Sequence, residues 1–258
     1  MLEKLRAAWR AYSDGGLREL CYRAARFYLA PPEWTGLVRI REGDTVVDLG
    51  GYTGDFARLA ARRAGPTGRV LTVEPNPRNV ERLRENCADL ENVEVIEAAV
   101  TESDGESELR IHSENPAGHR MRREDHADRG RSDQGDADFV TVDTYTLDGL
   151  REEYDLGHVD FIKIDIEGGE IAALRGGGRT LDDTSRVMIE AYHRNPEPEN
   201  GDRTCGPEVY RILHRYRFNA AVTEDYMVFG WRAGTDRAPL VRRVLFGVFS
   251  GSYGIDRI

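Results

Sequence analysis

The chain has 258 residues, which is enough for one α/β domain with a full core but hardly enough for a second independent domain. Its formal net charge of −10 argues against a nucleic-acid partner, because a phosphate backbone requires a basic surface. Three widely spaced cysteines without a C-x-x-C pair indicate neither a zinc site nor a disulfide framework. We therefore predict a single domain with additions at its ends and no metal centre.

The basic residues are almost all arginine, since Lys4 and Lys163 are the only lysines. Acidic residues number 46 against 36 basic ones. Such an excess of carboxylate with little lysine is typical of a halophile protein, because high salt screens the self-repulsion of the charges. A GC-rich coding sequence would give an ordinary acidic protein the same composition, so both interpretations stay open.

The first 40 residues are predicted to form a helical cap. Leu17, Leu20, Ala24 and Tyr28 recur at helical spacing, and two prolines at 31–32 end the pattern. No continuous apolar run follows the early basic residues, so we expect no secretory signal. No run approaches the length of about 20 apolar residues that a membrane span requires. We therefore expect a soluble, cytoplasmic protein.

From Asp44 onwards, apolar strands alternate with segments of helix length. This alternation predicts a Rossmann-like α/β fold, with a mostly parallel central sheet and right-handed crossovers, over residues 41–232. The last two apolar segments, within 218–231, are close enough to form an antiparallel hairpin. The other predicted strands are 45–50, 69–75, 92–100, 109–113, 138–147, 161–170 and 185–193, and the predicted helices are 54–64, 77–88 and 207–216.

The segment 112–138 within this domain has almost no large apolar residues. Such a composition cannot bury enough surface to order itself, so we predict a flexible loop insertion. His112, His119 and His126 recur every seven residues and would align on a helix as metal ligands, but Pro116 interrupts such a helix. We favour a solvated loop over a metal site.

The C-terminal tail, 233–258, carries an apolar stripe at helical spacing next to Arg242 and Arg243. The stripe consists of Leu240, Val241, Val244, Leu245, Val248 and Phe249. We expect it to pack on the domain or on a second copy in a homodimer, with peripheral membrane contact as the alternative.

The segment VVDLGGYTGDF (46–56) has the pattern D-x-G-x-x-x-G rather than the G-x-G-x-x-G of a dinucleotide pyrophosphate site. Its glycines follow a predicted strand, where open α/β sheets bind small ligands and where glycine lets a ligand approach the backbone closely. Asp48, an acid at the strand end, would repel a pyrophosphate but suits a ligand with an ammonium or sulfonium charge.

The ends of the next two predicted strands complete a nucleoside site. Glu74, at the tip of the second strand, is positioned to accept hydrogen bonds from both ribose hydroxyls, and Pro75 and Asn76 follow it. The third predicted strand ends in small residues whose side chains and backbone leave room for an adenine ring, namely Ala98, Ala99 and Val100. The implied ligand is a nucleoside without a pyrophosphate.

Two groups of segments carry a resemblance to known families. VVDLGGYTGDF followed by VEPNP resembles the S-adenosylmethionine site of class I methyltransferases. DFIKIDIEGGEIAALRGG, with TLDGL upstream and MIEAYH downstream, resembles the FkbM family of methyltransferases. The resemblance covers about residues 40–232, and IDIEGGE is its most specific part.

This resemblance implies transfer of a methyl group from S-adenosylmethionine to a hydroxyl oxygen of a small-molecule or glycan acceptor, either a sugar or a secondary metabolite. Asp165 and Glu167 would then lie beside the methyl-transfer point, with Asp165 also facing the cofactor. The other implied cofactor-binding residues are Asp48, Gly50, Gly51, Tyr52, Gly54, Asp55, Phe56, Glu74, Pro75, Asn76, Ala98, Ala99 and Val100.

An alcohol is a poor nucleophile until a base removes its proton. His193 is the first candidate for this base because imidazole titrates near neutral pH, and Asp165, Glu167 and Glu190 are the others. His193 could equally be a polar residue that caps a loop.

The two acids within the predicted strand 161–170 also have structural interpretations. Strand alternation would put Asp165 and Glu167 on one face, where they could share a metal ion, or Glu167 could cap a helix that begins at Gly168. Lys163 alternates away from a core position and could be partnered by an acid, although no chemistry requires it.

Two other functions remain as alternatives to a methyltransferase. One is a non-catalytic module that uses the nucleoside pocket for regulation or assembly. The other is a nicotinamide-dependent oxidoreductase, against which the missing G-x-G-x-x-G and the acid at Asp48 both count.

Overall fold

The structure is a computed structural model that describes residues 39–112, 120–121, 137–192, 204–222 and 227–232. The predicted helical cap, apart from its last two residues, and the predicted C-terminal tail lie outside these ranges. The same holds for most of the predicted loop insertion, in which the structure describes the short strand Arg120–Met121.

The described chain consists of eleven strands and six helices. The strands are β1 Thr45–Leu49, β2 Arg69–Val73, β3 Val93–Ile96, β4 Ala99–Val100, β5 Gly105–His112, β6 Arg120–Met121, β7 Ala137–Tyr145, β8 Val159–Ile164, β9 Thr184–Glu190, β10 Asn219–Val222 and β11 Met227–Trp231. The helices are α1 Asp55–Ala64, α2 Pro77–Cys87, α3 Leu147–Glu153, α4 Glu170–Arg175, α5 Gly178–Asp182 and α6 Gly206–Arg215.

Seven strands form the central sheet in the order β10-β11-β9-β8-β1-β2-β3. The strands β3, β2, β1, β8 and β9 run parallel, while β11 is antiparallel to both β9 and β10. This arrangement confirms the predicted Rossmann-like fold with its antiparallel hairpin. The strand order reverses between β1 and β8, because β2 and β3 lie on one side of β1 while β8 and β9 lie on the other.

Burial explains why the central strands read as nearly continuous apolar runs. Parallel strands are covered on both faces, so their side chains are apolar at successive positions. Leu49, Leu71, Ile162 and Ile164 are all fully inaccessible. They belong to one core that also includes Leu174 of α4.

Local signals set the ends of the first two helices. In α1, Asp55 lies in the first turn and Arg62 in the last, which is the favourable arrangement in the field of the helix dipole. Helix α2 begins with Pro77, and the Asn76 side chain caps it by accepting a hydrogen bond from the Arg78 N–H.

Among the predicted strands that differ from the structure are 92–100 and 138–147. The segment 92–100 forms two strands, and β4 pairs with β7 in a separate four-stranded sheet of order β4-β7-β5-β6. The sequence does not reveal this break, because only Glu97 and Ala98 separate the two strands. The predicted strand 138–147 ends at Tyr145, because the Thr146 side chain caps helix α3 by accepting from the Gly149 N–H.

None of the described helices is long and apolar enough to cross a membrane.

Candidate functional site

The carboxyl ends of four parallel strands bring most of the predicted site residues to one edge of the central sheet. The turn 50–54 follows β1, Glu74 follows β2, Asp165 follows β8, and Glu190 ends β9. Open α/β sheets bind ligands at this edge, where the strand order reverses. The reversal lies between β1 and β8, so we take this edge as the candidate site.

The turn after β1 is tied to β2 and packed tightly against its neighbours. The Gly50 and Gly51 N–H groups both donate to the Val73 carbonyl oxygen, at 2.9 and 3.1 Å. Gly50 has a φ of 85°, and a Cβ on it would lie 1.8 Å from the Asp165 carbonyl oxygen. A Cβ on Gly51 would lie 2.3 Å from the Thr72 hydroxyl oxygen. The protein's own packing therefore requires these glycines, whereas the sequence suggested that a ligand did.

The Glu74 carboxylate joins this turn to the beginning of α2. It accepts hydrogen bonds from the Tyr52 N–H at 3.0 Å, and from the Asn76 N–H and the Asn79 side-chain amide at 3.1 Å each. Burial raises the pKa of Glu74 above its ordinary value, and the three donors act in the opposite direction. A carboxylate has about four acceptor positions, so these three bonds leave capacity for a ligand hydroxyl.

Asp48 lies inside the protein rather than open to a ligand. Its side chain is fully inaccessible, one oxygen accepts a hydrogen bond from the Thr72 hydroxyl at 3.0 Å, and the other lies 3.2 Å from the Lys163 ammonium. The sequence predicted that Asp48 would face a positively charged ligand directly. The structure corrects this interpretation, because the positive charge beside Asp48 belongs to the protein.

Lys163 of β8 also contacts the turn and the end of its own strand. Its ammonium donates to the Gly50 carbonyl oxygen at 3.2 Å and lies 3.6 Å from the Asp165 carboxylate. It lies 5.6 Å from the centre of the Phe56 ring. Burial alone would lower the pKa of Lys163, but the charges of Asp48 and Asp165 outweigh it and raise that pKa. The predicted acidic partner is therefore confirmed, and there are two.

The segment after β8 departs from strand geometry at once. The Asp165 N–H donates to the Leu49 carbonyl oxygen at 3.0 Å, while Glu167 adopts a left-handed backbone with a φ of 54°. The alternation that predicted a shared face for Asp165 and Glu167 therefore ends at Ile164. The alternative in which Glu167 caps a helix beginning at Gly168 is wrong as well, because α4 begins at Glu170 and its cap position is Gly169.

Negative charges from β8, β9 and the following segments meet around Tyr192. Burial and then the charges of Glu190, Glu167, Asp165 and Glu170 raise the pKa of the Tyr192 phenol to about 12. The side chain is nevertheless 47% exposed. Tyr192 was not among the site residues predicted from sequence, although its place beside His193 at the end of a predicted buried strand was a usable signal. His193 itself lies outside the described residues.

The remaining predicted cofactor residues differ in how far they are exposed to solvent. Tyr52 is 40% exposed beside the turn, and Asp55 is exposed in the first turn of α1. Phe56 packs near Phe161, with ring centres 6.1 Å apart. Pro75 is half-buried. Gly54 has a φ of 94°, and a Cβ on it would lie 2.8 Å from Leu83. Four others are buried, namely Asn76, Ala98, Ala99 and Val100.

A metal ion at this site would need several histidine, cysteine or carboxylate side chains close together. Within the ranges that the structure describes, no group of three or more histidine, cysteine, aspartate and glutamate side chains could hold a metal ion. Two of the three histidines of the predicted loop, His119 and His126, lie outside those ranges.

Known proteins resemble this chain in sequence and in fold. A family model described as the methyltransferase FkbM domain matches residues 48–220, more than half of the 258-residue chain. The 2-O-methyltransferase NoeI of Sinorhizobium fredii is 26% identical over 154 residues, which cover 56% of this chain and 62% of that protein. Methyltransferase 1 of Beauveria bassiana is 30% identical over 158 residues, which cover 56% of this chain and 61% of that protein.

A crystal structure of an FkbM methyltransferase from Methylobacillus flagellatus shares the fold. It superposes with a TM-score of 0.51 at 19% sequence identity, covering 80% of this chain and 47% of that one. The fold is thus the Rossmann-like fold of class I methyltransferases. The chain spans about three fifths of the length of the two curated methyltransferases named above. From the match over residues 48–220, we conclude that this chain belongs to the FkbM methyltransferase domain family.

Proposed function

We propose that this protein transfers a methyl group from S-adenosylmethionine to a hydroxyl oxygen of a sugar, glycan or secondary metabolite. The observation that carries the proposal is the charge of the candidate site. Glu74, Asp165, Glu167 and Glu190 bring carboxylates to the carboxyl edge, where the nearby Lys163 ammonium is already paired with Asp48 and Asp165. Such an edge favours a cationic ligand and opposes a pyrophosphate.

The residues of the edge fit the parts of this cofactor. The remaining acceptor capacity of Glu74 would hold a ribose hydroxyl, and the turn 50–54 would lie beside the amino-acid portion. The acids after β8 and β9 would balance its positive charge. When bound, S-adenosylmethionine supplies a methyl group on a positively charged sulfur, ready for attack by an oxygen nucleophile.

The protein's own contribution is to orient the acceptor hydroxyl and to remove its proton. Asp165, Glu167 and Glu190 are the described side chains that could accept this proton, and His193 of the adjoining segment remains the first candidate from sequence. The Tyr192 phenol, with its pKa raised to about 12, keeps its proton at neutral pH and would donate a hydrogen bond to an acceptor oxygen.

The name of one relative supports oxygen as the methylated atom. NoeI is a 2-O-methyltransferase, and it aligns with 56% of this chain. Two exposed aromatic side chains, Tyr52 and Tyr192, provide flat surfaces of the kind that pack against sugar rings. We therefore place sugars and other polyhydroxylated compounds first among the acceptors to be tested.

Calorimetric titration with S-adenosylmethionine, S-adenosylhomocysteine and NADH tests the proposal. We expect the first two ligands to bind and NADH to give no heat of binding. Glu74→Ala should abolish binding, because it removes the ribose acceptor and the link to the Tyr52 N–H. The matched control is Glu94→Ala, which removes a partly exposed glutamate paired with Arg69 on the same sheet and should bind like the wild type.

Each other result points to one of the alternatives. Binding of NADH with Glu74-dependent affinity would favour the oxidoreductase. Binding of S-adenosylmethionine without methyl transfer to any hydroxylated acceptor would favour a non-catalytic regulatory or assembly module.

A further inference from the structure

Lys163 is a buried cation whose contacts all lie at the candidate site. Its ammonium is 3.2 Å from the Asp48 carboxylate, 3.2 Å from the Gly50 carbonyl oxygen and 3.6 Å from the Asp165 carboxylate. The residue is 8% exposed. These partners come from three parts of the site: strand β1, the turn that follows it, and the segment that follows β8.

A lysine in this position requires a compensating arrangement. Burial of an ammonium is strongly unfavourable unless opposite charges and hydrogen-bond acceptors surround it. Here two carboxylates and one carbonyl oxygen supply that surrounding. The arrangement holds only while all three groups keep their positions, so the lysine restrains each of them.

The turn and the segment after β8 are in direct contact as well. The Asp165 N–H donates to the Leu49 carbonyl oxygen at 3.0 Å, and the Asp165 carbonyl oxygen occupies the space where a Cβ on Gly50 would lie. A displacement of the turn would therefore displace Asp165. Lys163 reinforces this contact through the Gly50 carbonyl on one side and the Asp165 carboxylate on the other.

We propose that Lys163 is a positioning residue that couples the turn 50–54 to Asp165, so that the surface that binds the methyl donor and the acid beside the reacting atoms move as one unit. The proposal rests on the proposed function. The structural coupling itself can be measured without any ligand, and this separates the two.

A second buried ion pair in the same sheet provides a matched control. Arg186 of β9 lies 2.9 Å from Asp44, and both side chains are at least nine-tenths buried. This pair lies beside the amino end of β1, while Lys163 and Asp48 lie towards its carboxyl end. Arg186→Met and Lys163→Met each leave one buried carboxylate without its cation, but only the second touches the candidate site.

The experiment compares Lys163→Met, Arg186→Met and the double variant Asp48→Asn/Lys163→Met with the wild type. The melting temperature measures overall stability, and calorimetry measures the affinity for S-adenosylmethionine. Amide hydrogen exchange measures how readily the backbone opens locally in the segments 50–54 and 165–169. In the double variant no buried charge is left over, since an asparagine can still accept from the Thr72 hydroxyl.

We expect both single variants to melt earlier and the double variant to recover most of the loss. Exchange in both segments should be at least about tenfold faster in Lys163→Met and in the double variant than in Arg186→Met. Affinity for S-adenosylmethionine should stay about tenfold weaker in the double variant, because the Gly50 carbonyl and Asp165 lack their common partner.

If the two segments exchange in the double variant at the same rate as in the wild type, the proposal is overturned, and Lys163 only neutralises Asp48. Equal acceleration in Arg186→Met would overturn it too, because the effect would then be global. If the wild type binds no S-adenosylmethionine, the proposed function fails, while the exchange data still decide whether Lys163 couples the two segments. If Lys163→Met does not fold, the double variant carries the comparison.

Discussion

Glu74 and Lys163 are buried ionisable side chains at the candidate site, and each has a different set of partners. The Glu74 carboxylate accepts from three N–H groups, whereas the Lys163 ammonium lies between two carboxylates and a carbonyl oxygen. Because an unpartnered buried charge is strongly unfavourable, such sets define the position of a side chain narrowly. The positions of these two side chains therefore depend on their charge states.

The affinity for S-adenosylmethionine should depend on pH through Glu74. Only the ionised carboxylate can accept from a ribose hydroxyl in addition to its three protein donors, and burial raises its pKa above the ordinary value of 4.5. We expect affinity to fall on acidification, beginning at a higher pH than an exposed glutamate would give. Titration calorimetry between about pH 5 and pH 8 measures this. Glu74→Gln should bind weakly with no such pH dependence.

Unfolding would not explain this loss. A carboxyl whose folded-state pKa is raised binds its proton more tightly in the folded protein, so Glu74 favours folding as the pH falls through the interval between its unfolded and folded pKa values. Melting temperatures at the same pH values provide the control. An affinity that stays constant down to the ordinary glutamate range would contradict the prediction.

At the scale of elements, the turn between β1 and α1 depends on its neighbours more than on its own sequence. Gly50 faces the Asp165 carbonyl, and Gly51 faces Thr72 of β2 and Leu83 of α2. Close approach of three elements therefore accounts for glycines that, in sequence, read as a ligand loop. The shape left for a ligand follows from this packing.

Gly50→Ala should be far more destabilising than Gly157→Ala. Both glycines have positive φ, 85° and 55°, but a Cβ on Gly157 meets no atom within 4 Å, while one on Gly50 would lie 1.8 Å from a backbone oxygen. We expect a loss of about 1 kcal/mol for Gly157→Ala, from backbone strain alone. For Gly50→Ala we expect at least about 3 kcal/mol, because the overlap adds to that strain. Urea denaturation measures both, and equal losses would refute the assignment.

Prediction of the elements succeeded where each element carried its own start and stop. Helix α2 has an asparagine cap and a proline at its first position, and the hairpin of β10 and β11 is two adjacent apolar runs. It failed at 92–100, where two strands of different sheets are separated by only Glu97 and Ala98. Apolar periodicity reports burial and does not report which sheet a strand joins.

For the whole molecule, the net charge of −10 is the dominant electrostatic feature. Arginines on the described surface form ion pairs with acids, for example Arg58 with Asp89 and Arg84 with Glu97. The acidic residues in excess of the basic ones have no such balancing charge. Self-repulsion of this kind opposes the compact state, and salt reduces it.

We expect the melting temperature to rise when salt increases from about 0.1 M to about 2 M potassium chloride, because screening shortens the range of the repulsion between carboxylates. Thermal denaturation followed by circular dichroism measures this. A sucrose series at equal osmolarity controls for solute exclusion, which stabilises proteins without screening charge. Equal melting temperatures at low and high salt would contradict the halophile interpretation and favour the compositional one.

The sequence alone determined the alternation of strands and helices, the family, and which predicted site residues follow the ends of strands, because these depend on local patterning and on residues next in order along the chain. The tertiary structure decided the partners. Asp48 faces Lys163, and Gly50 faces Asp165, because β1 and β8 are adjacent in the sheet although they are more than a hundred residues apart in sequence. Tyr192 lies among four acids because the ends of β8 and β9 meet at one edge of the sheet. Such contacts depend on strand order and register, and no local pattern specifies these.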